Sequence, residues 1–303
     1  MLINRLPKFI TFKLIVAIRS IKYSLLKLKA KNGYLVKNVQ GSKMKLDLND
    51  EGISKDLAVD GIREPGSTKI MKDFIKQGDV AVDIGANLGY YALMESRLVG
   101  SNGKVYAIEP SPSNFEALKE NIKLNGYKNI ECYKLGIGDK KETAKMFISS
   151  HSNLNSLVIQ KNKKIIDNID IQITSLNDFI KGKEFPDFIR MDVEGYEYNI
   201  IKGMNDLLKS KKPLKLFIEL HPHIMTKDKT TFVLESLMKS GFEVEKVLRS
   251  FTVPEMKVKN RKEYDYSSMS ILDILNDESI VNGKKGALEM FFKREVQFKY
   301  GKK

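Results

Sequence analysis

The sequence predicts an α/β protein built on a doubly wound, mostly parallel sheet. Three observations carry that expectation. Short apolar runs such as Val80-Ala81-Val82 recur along the chain, the mark of strands covered on both faces. Between them lie stretches with helical apolar spacing, several closed by Gly. The first buried run then enters Gly85-Ala86-Asn87-Leu88-Gly89, a tight strand-to-helix turn.

In chain order, residues 8–30 come first. Ile10, Leu14, Ile18, Ile21, Leu25 and Leu28 form one helical stripe, with Lys8, Arg19, Lys22, Lys27 and Lys29 on the other side. The period changes to two from Gly33, and Tyr34–Val39 and Met44–Leu48 predict a β-hairpin around Gly41-Ser42. A helix over Ile53–Val59 follows, then one over Lys69–Ile75 capped by Ser67 or Thr68. From residue 79 the rhythm is β-α-β-α-β: strands at Val80–Ile84, Lys104–Ile108 and Ile130–Lys134, helices at Tyr90–Val99 and Asn114–Asn125.

Residues 140–174 interrupt that rhythm with two strand-like runs, Ala144–Ile148 and Ile169–Ile173, around a polar stretch and a basic run, Lys161–Lys164. Such an excursion fits a lid or substrate loop. Alternation resumes with a strand at Phe188–Met191, a helix at Tyr196–Leu208, a strand at Leu214–Leu220, a helix at Thr230–Lys239 and strands at Phe242–Leu248 and Ala287–Lys293. An irregular segment, Thr252–Asn282, holds Tyr264, Asp265 and Tyr266. The expected organisation is a basic helix (1–32), a hairpin and helical lead-in (33–78) and a catalytic domain (79–303).

The net charge of +14 is unevenly placed. Residues 1–46 carry eleven Lys or Arg and no acid, whereas the remainder holds 41 basic and 38 acidic residues, a net of +3. A nearly balanced body argues against a broad nucleic-acid face. The cationic arm suits the interface of an anionic membrane instead; Lys13 interrupts its apolar stretch, well short of the roughly 20 residues a bilayer span needs. A helix docked on the body with its basic face in water is the alternative. A signal peptide fits poorly, so the expected location is cytoplasmic, with residues 8–30 as a peripheral contact at the inner membrane face. One Cys excludes a disulfide framework and a Cys-rich zinc site.

Ligands of such sheets bind at the carboxyl ends of the strands. Those ends carry Asp83, Glu109, Gly138-Asp139, Asp192 with Glu194, and Glu219 with His221, a ring of carboxylates with no Lys or Arg among them. The turn lacks the middle Gly of a dinucleotide fingerprint, and Asp83 would repel a pyrophosphate, so a nicotinamide cofactor is disfavoured. An acid at Asp83 suits a sulfonium or ammonium group, and Glu109 can accept two bonds from ribose hydroxyls. If a hydroxyl is the acceptor, Asp192, Glu219 and His221 are the candidate bases, with Glu194 beside them. Carboxylates also suit Mg²⁺, but the sequence fixes no geometry, and no metal is assigned.

In combination, REPGSTKIMKDFIKQGDVAVDIGANLGYYAL, GKVYAIEPSPSNFEALKENIKLN, ITSLNDF, DFIRMDVEGYEYNIIKGM and FIELHP resemble the FkbM family of class I S-adenosylmethionine-dependent methyltransferases. The resemblance covers roughly residues 34–222 and implies a seven-stranded Rossmann-like sheet with S-adenosyl-L-methionine as cofactor. It implies that Asp83, Gly85, Asn87 and Gly89 line the methionine part and that Glu109 holds the ribose. Ser111, Asn114, Gly138 and Asp139 would then lie near the adenine, and Glu64 would touch cofactor or acceptor. Arg63 and Asn177 depart from the family pattern, which more often has an aromatic residue and an Asp there. The expected activity is O-methylation of a small molecule, glycan or lipid-linked sugar. An RNA methyltransferase using the basic arm and a non-catalytic cofactor-binding scaffold are the alternatives.

Overall fold

The computed structural model describes residues 7–50, 52–160, 164–250 and 269–295. The chain opens with helix α1 (Lys8–Lys29), the hairpin β1 (Tyr34–Val39) and β2 (Ser42–Asp47), and helices α2 (Ile53–Asp60) and α3 (Pro65–Phe74). Then come β3 (Val80–Ile84), α4 (Tyr90–Val99), β4 (Lys104–Ile108), α5 (Pro112–Asn125) and β5 (Ile130–Tyr133). Strands β6 (Gly136–Gly138), β7 (Glu142–Ser149) and β8 (Ile165–Ser175) precede a short helix, α6 (Leu176–Ile180). The chain continues through β9 (Phe188–Met191), α7 (Glu197–Lys202), α8 (Asn205–Lys209), β10 (Leu214–Leu220), α9 (Lys227–Lys239) and β11 (Glu243–Arg249). Helices α10 (Ile271–Asn276) and α11 (Glu278–Val281) and strand β12 (Leu288–Arg294) complete it.

Seven strands form the main sheet in the order β11-β12-β10-β9-β3-β4-β5. All neighbours are parallel except β12, which runs antiparallel to both β10 and β11. This is the doubly wound class I methyltransferase sheet. Its two faces bury separate cores: Ile84, Ile108, Met191 and Ile218 face one side, and Ala81, Phe188, Phe217 and Phe291 the other.

Several boundaries differ from the sequence expectation for local reasons. Helix α3 begins at Pro65, whose fixed φ suits the first helical position, rather than after Ser67 or Thr68. The helix expected over Tyr196–Leu208 is two, the first capped by Gly203, where a Cβ would sit 2.0 Å from the Gly138 carbonyl oxygen. The two strands expected in the excursion at 140–174 are present and longer, and with β6 they form a separate three-stranded sheet, β6-β8-β7. Tyr264, Asp265, Tyr266 and the basic residues at 161–163 lie outside the described residues.

Helix α1 docks on the body, but by its basic face, which the docked alternative had left in water. Arg19 pairs with Asp56 and Asp60, Lys22 donates to the Val59 carbonyl, and the Tyr23 hydroxyl donates to the Leu48 carbonyl at 2.6 Å. The apolar stripe is left in water, with Ile21 63% and Leu28 83% exposed. No helix of the described residues is long and apolar enough to cross a membrane.

Candidate active site

A cleft opens at the carboxyl ends of β3, β4 and β9, where the chain reverses its direction of winding across the sheet. It holds about 820 Å³ counting its open mouth. Its far wall comes from the small sheet and the turn after β7, through Met146, Ser152, Asn153 and Leu157.

The glycine turn forms the floor. Gly85 has φ +83°, and a Cβ there would meet the Asp192 carbonyl oxygen at 2.0 Å. The residue is therefore bare so that the turn can touch the exit of β9, as well as lining the cleft. Asn87 also takes a left-handed conformation, φ 51°, which aims its backbone N–H at Glu109 Oε2, 2.8 Å away. The other Glu109 oxygen accepts the N–H of Ser111 at 2.9 Å, so two backbone donors fix the carboxylate at the cleft wall. Burial pushes Glu109 up to about 7, against the pull of these donors and of Asn114. Asn87 and Asn114 each donate a side-chain N–H to the Ser152 carbonyl, at 3.2 and 3.1 Å, tying the floor to the far wall.

An anchored carboxylate beside Ile108, Leu135 and Ile137 fits a nucleoside: two acceptors for vicinal hydroxyls and an apolar wall for a base. Glu109, Asn87, Asn114 and Gly85 would hold the cofactor.

Six expected cofactor contacts do not line the cleft: Gly89, Ser111, Gly138, Asp139, Asp83 and Glu64. Gly89 does not line the cleft; its missing side chain makes room for Leu118 of α5, 2.8 Å from where a Cβ would be. Ser111 is buried beneath the wall and acts through Glu109. Gly138 packs against Ile173 and Tyr196, and Asp139 turns outward to Lys202 at 2.9 Å, because β6 pairs with β8 and carries them away. The cleft takes Leu135, Gly136 and Ile137 in their place.

Asp83 requires the largest correction. It is fully buried below the cleft, and its Oδ1 accepts a hydrogen bond from Arg190 Nη1 at 2.9 Å. Burial raises its carboxyl above the ordinary value while Arg190 opposes the shift. The ring of acids thus contains a cation that the strand-end residues alone did not reveal. Arg190 bridges Asp83 to Asp192, whose Oδ2 lies 2.9 Å from Nη2, and stacks its guanidinium 4.0 Å from the Tyr91 ring centroid.

Arg63, Tyr91, Arg190, Asp192 and Glu194 line the end of the cleft opposite Glu109 and Asn114. Asp192 does not cap the next helix, whose N-cap is Tyr196. Glu64 sits just behind, in a left-handed conformation, 2.7 Å from Arg63 Nε and accepting from the Tyr91 hydroxyl at 2.7 Å. Glu219 and His221 are buried behind Asp192, and one ligand-type atom from each of the three lies within 4.8 Å of the others. His221 Nδ1 shares a 2.7 Å hydrogen bond with Glu197. Burial opposes a charge on His221, but Glu197, Glu194 and Glu219 outweigh it and hold the ring well above its usual value. Burial, reinforced by Asp192 and Glu64, raises Glu219 well above the carboxylate range. Of the three candidate bases, Asp192 alone opens to the cleft.

Arg190, Arg63, Glu197 and Glu95 were not expected at the site. Glu95, on α4, is fully buried with neither oxygen hydrogen-bonded among the described residues, and burial beside Asp83 raises it well above its ordinary value. Arg190 had a signal: a charge inside the buried run Phe-Ile-Arg-Met must find a partner.

Residues 83–252, more than half of the chain, match the model of the methyltransferase FkbM domain. The chain belongs to the FkbM methyltransferase family. It is an S-adenosylmethionine-dependent methyltransferase of the class I fold, and S-adenosylmethionine is its cofactor. Hexuronic acid methyltransferase AglP of Haloferax volcanii is 24% identical over 183 residues, 60% of this chain and 71% of AglP. Protein-L-isoaspartate O-methyltransferase of Methanococcoides burtonii is 35% identical over 71 residues, 23% of this chain and 35% of that enzyme. The FkbM chain thus spans about a third of the isoaspartate enzymes it matches. A solved S-adenosylmethionine-dependent methyltransferase from Aquifex aeolicus superposes with a TM-score of 0.39 at 17% identity, covering 77% of this chain and 90% of that one.

Proposed function

We propose that this enzyme methylates a hydroxyl on a small molecule, a glycan or a lipid-linked sugar. One observation carries the reading: Asp192 opens, beside Glu194, to the acceptor end of the cleft, with its orientation set by Arg190. Bound S-adenosylmethionine supplies an electrophilic methyl group. Glu109, Asn87, Asn114 and Gly85 would hold that cofactor, and Asp192 would take the proton of an acceptor hydroxyl placed beside it. Tyr91 and Arg63 line the same end of the cleft. The similarity to AglP, named for hexuronic acid, makes uronic-acid glycans the first acceptors to test. With labelled S-adenosylmethionine and host extract fractionated into lipid, glycan, RNA and small metabolites, label is expected as a base-stable methyl ether in a glycan or small-molecule fraction. Label confined to RNA or to protein carboxyls overturns the reading.

The exposed stripe of α1 supports action at a membrane face. Ile10, Ile18, Ile21, Leu25 and Leu28 project into water from a helix whose body-facing side is already engaged. An apolar ridge flanked by Lys fits the interface of an anionic bilayer. Co-sedimentation with phosphatidylglycerol vesicles should fall about tenfold or more in the Ile21→Asp/Leu25→Asp variant, with cofactor binding retained. Equal sedimentation of both proteins, or none by the wild type, removes this part of the proposal.

A further inference from the structure

The geometry points to a divalent-cation site formed by Asp192, Glu219 and His221. Each contributes one ligand-type atom, mutually within 4.8 Å, from the end of β9, from β10 and from the residue directly after β10. These are rigid positions, so the constellation is set by the sheet and not by a mobile loop.

Two features beyond the clustering point to a bound ion. The first is Glu219. It is 95% buried, with a relative exposure of 5%, yet it makes no hydrogen bond among the described residues. Its nearest cationic atom is His221 Nε2 at 3.9 Å, outside hydrogen-bond range. It also stands directly opposite a second buried acid, Glu289 on β12. A largely buried carboxylate whose nearest cationic group stands 3.9 Å away leaves a gap that a cation can fill.

The second is the orientation of the imidazole. The fully buried Glu197 engages Nδ1 at 2.7 Å, which turns Nε2 toward Glu219. A carboxylate on one ring nitrogen, with the other presented to a gap among acids, is the usual support for a metal-binding histidine. For His221 and Glu219 the distance agrees: two metal–ligand bonds of about 2.1 Å span at most about 4.2 Å. Nε2 and Glu219 Oε1 at 3.9 Å can therefore share one ion without backbone movement.

The donor set is two carboxylate oxygens and one imidazole nitrogen, which suits Mn²⁺, Fe²⁺ or Zn²⁺ better than Ca²⁺. Asp192 connects the site to the cleft, so an ion there would face the acceptor and could orient its hydroxyl or a neighbouring oxygen. This last role rests on the O-methylation proposed above; the binding site itself does not.

The test is titration of the full chain with Mn²⁺, read by the electron paramagnetic resonance signal of the free ion, with calorimetric S-adenosylmethionine binding as the control for folding. One Mn²⁺ per chain is expected. Glu219→Gln and His221→Gln should each weaken it by about tenfold or more, and Glu197→Gln by about tenfold through loss of ring orientation. Absence of saturable binding up to about 1 mM overturns the site, as does unchanged binding in Glu219→Gln and His221→Gln proteins that still bind cofactor. If Mn²⁺ binds as expected and no hydroxyl acceptor is methylated, the metal site stands and the O-methylation reading falls.

Discussion

Replacing Arg190 by Met is expected to destabilise the protein by about 3–5 kcal/mol, the cost of removing one partner of a buried ion pair. Arg190 is 3% exposed, Asp83 is fully buried, and the two are joined at 2.9 Å. Without the guanidinium, the Asp83 carboxylate is left beside Glu95 in a dry environment, and either it protonates or water enters. The same substitution frees Asp192, whose Oδ2 is held by Nη2, and removes the plate stacked over Tyr91. Urea unfolding measures the loss. The Arg190→Met/Asp83→Asn double variant should be less destabilised than the two single losses combined, since the orphaned charge is gone. A loss under about 1 kcal/mol in Arg190→Met would show that the pair contributes nothing net, as some buried pairs do. Cofactor affinity should fall as well, through the displaced floor of the cleft rather than through a lost contact.

This residue also marks the limit of what sequence pattern can resolve. The strands that build the sheet were visible because burial on both faces leaves near-continuous apolar runs, and Val80–Ile84, Lys104–Ile108 and Leu214–Leu220 stand where those runs predicted. The ends of those strands placed Asp192, Glu219 and His221 in one neighbourhood, which the structure brings within a few ångströms. Arg190 was hidden because it lies inside a strand and not at its end, so it entered the site from below. Gly138 and Asp139 were misplaced for a different reason. Their strand, β6, leaves the main sheet to pair with β8, a long-range choice that local pattern does not encode. The docking face of α1 stayed open for the same reason: amphipathicity identifies two faces, but Asp56 and Asp60, far along the chain, select the basic one for docking.

Loss of the Glu109 carboxylate should have the largest effect on cofactor binding. If each oxygen accepts a ribose hydroxyl, two charge-assisted bonds of about 1.5–3 kcal/mol disappear in Glu109→Ala. Together that is about 10²- to 10⁴-fold in the dissociation constant for S-adenosylmethionine, measured by calorimetry. Glu109→Gln keeps one oxygen for the Asn87 N–H at 2.8 Å and should lose less. Acidity adds an independent check. Burial raises Glu109 to about 7 in the free protein, so the ionised acceptor is depleted as the pH falls below about 7. Affinity should therefore weaken toward pH 5.5 in the wild type, by at most about tenfold per pH unit, and this dependence should vanish in Glu109→Gln. Stability moves the other way. A carboxyl whose folded value exceeds its unfolded value of 4.5 contributes stability that is complete below 4.5 and is lost as the pH rises through about 7. The free enzyme is thus steadied by the protonated acid that binds cofactor poorly, and cofactor binding near neutrality restores stability through linkage. An affinity that is flat from pH 5.5 to 8 in the wild type, or unchanged in Glu109→Ala, would place the ribose elsewhere in the cleft.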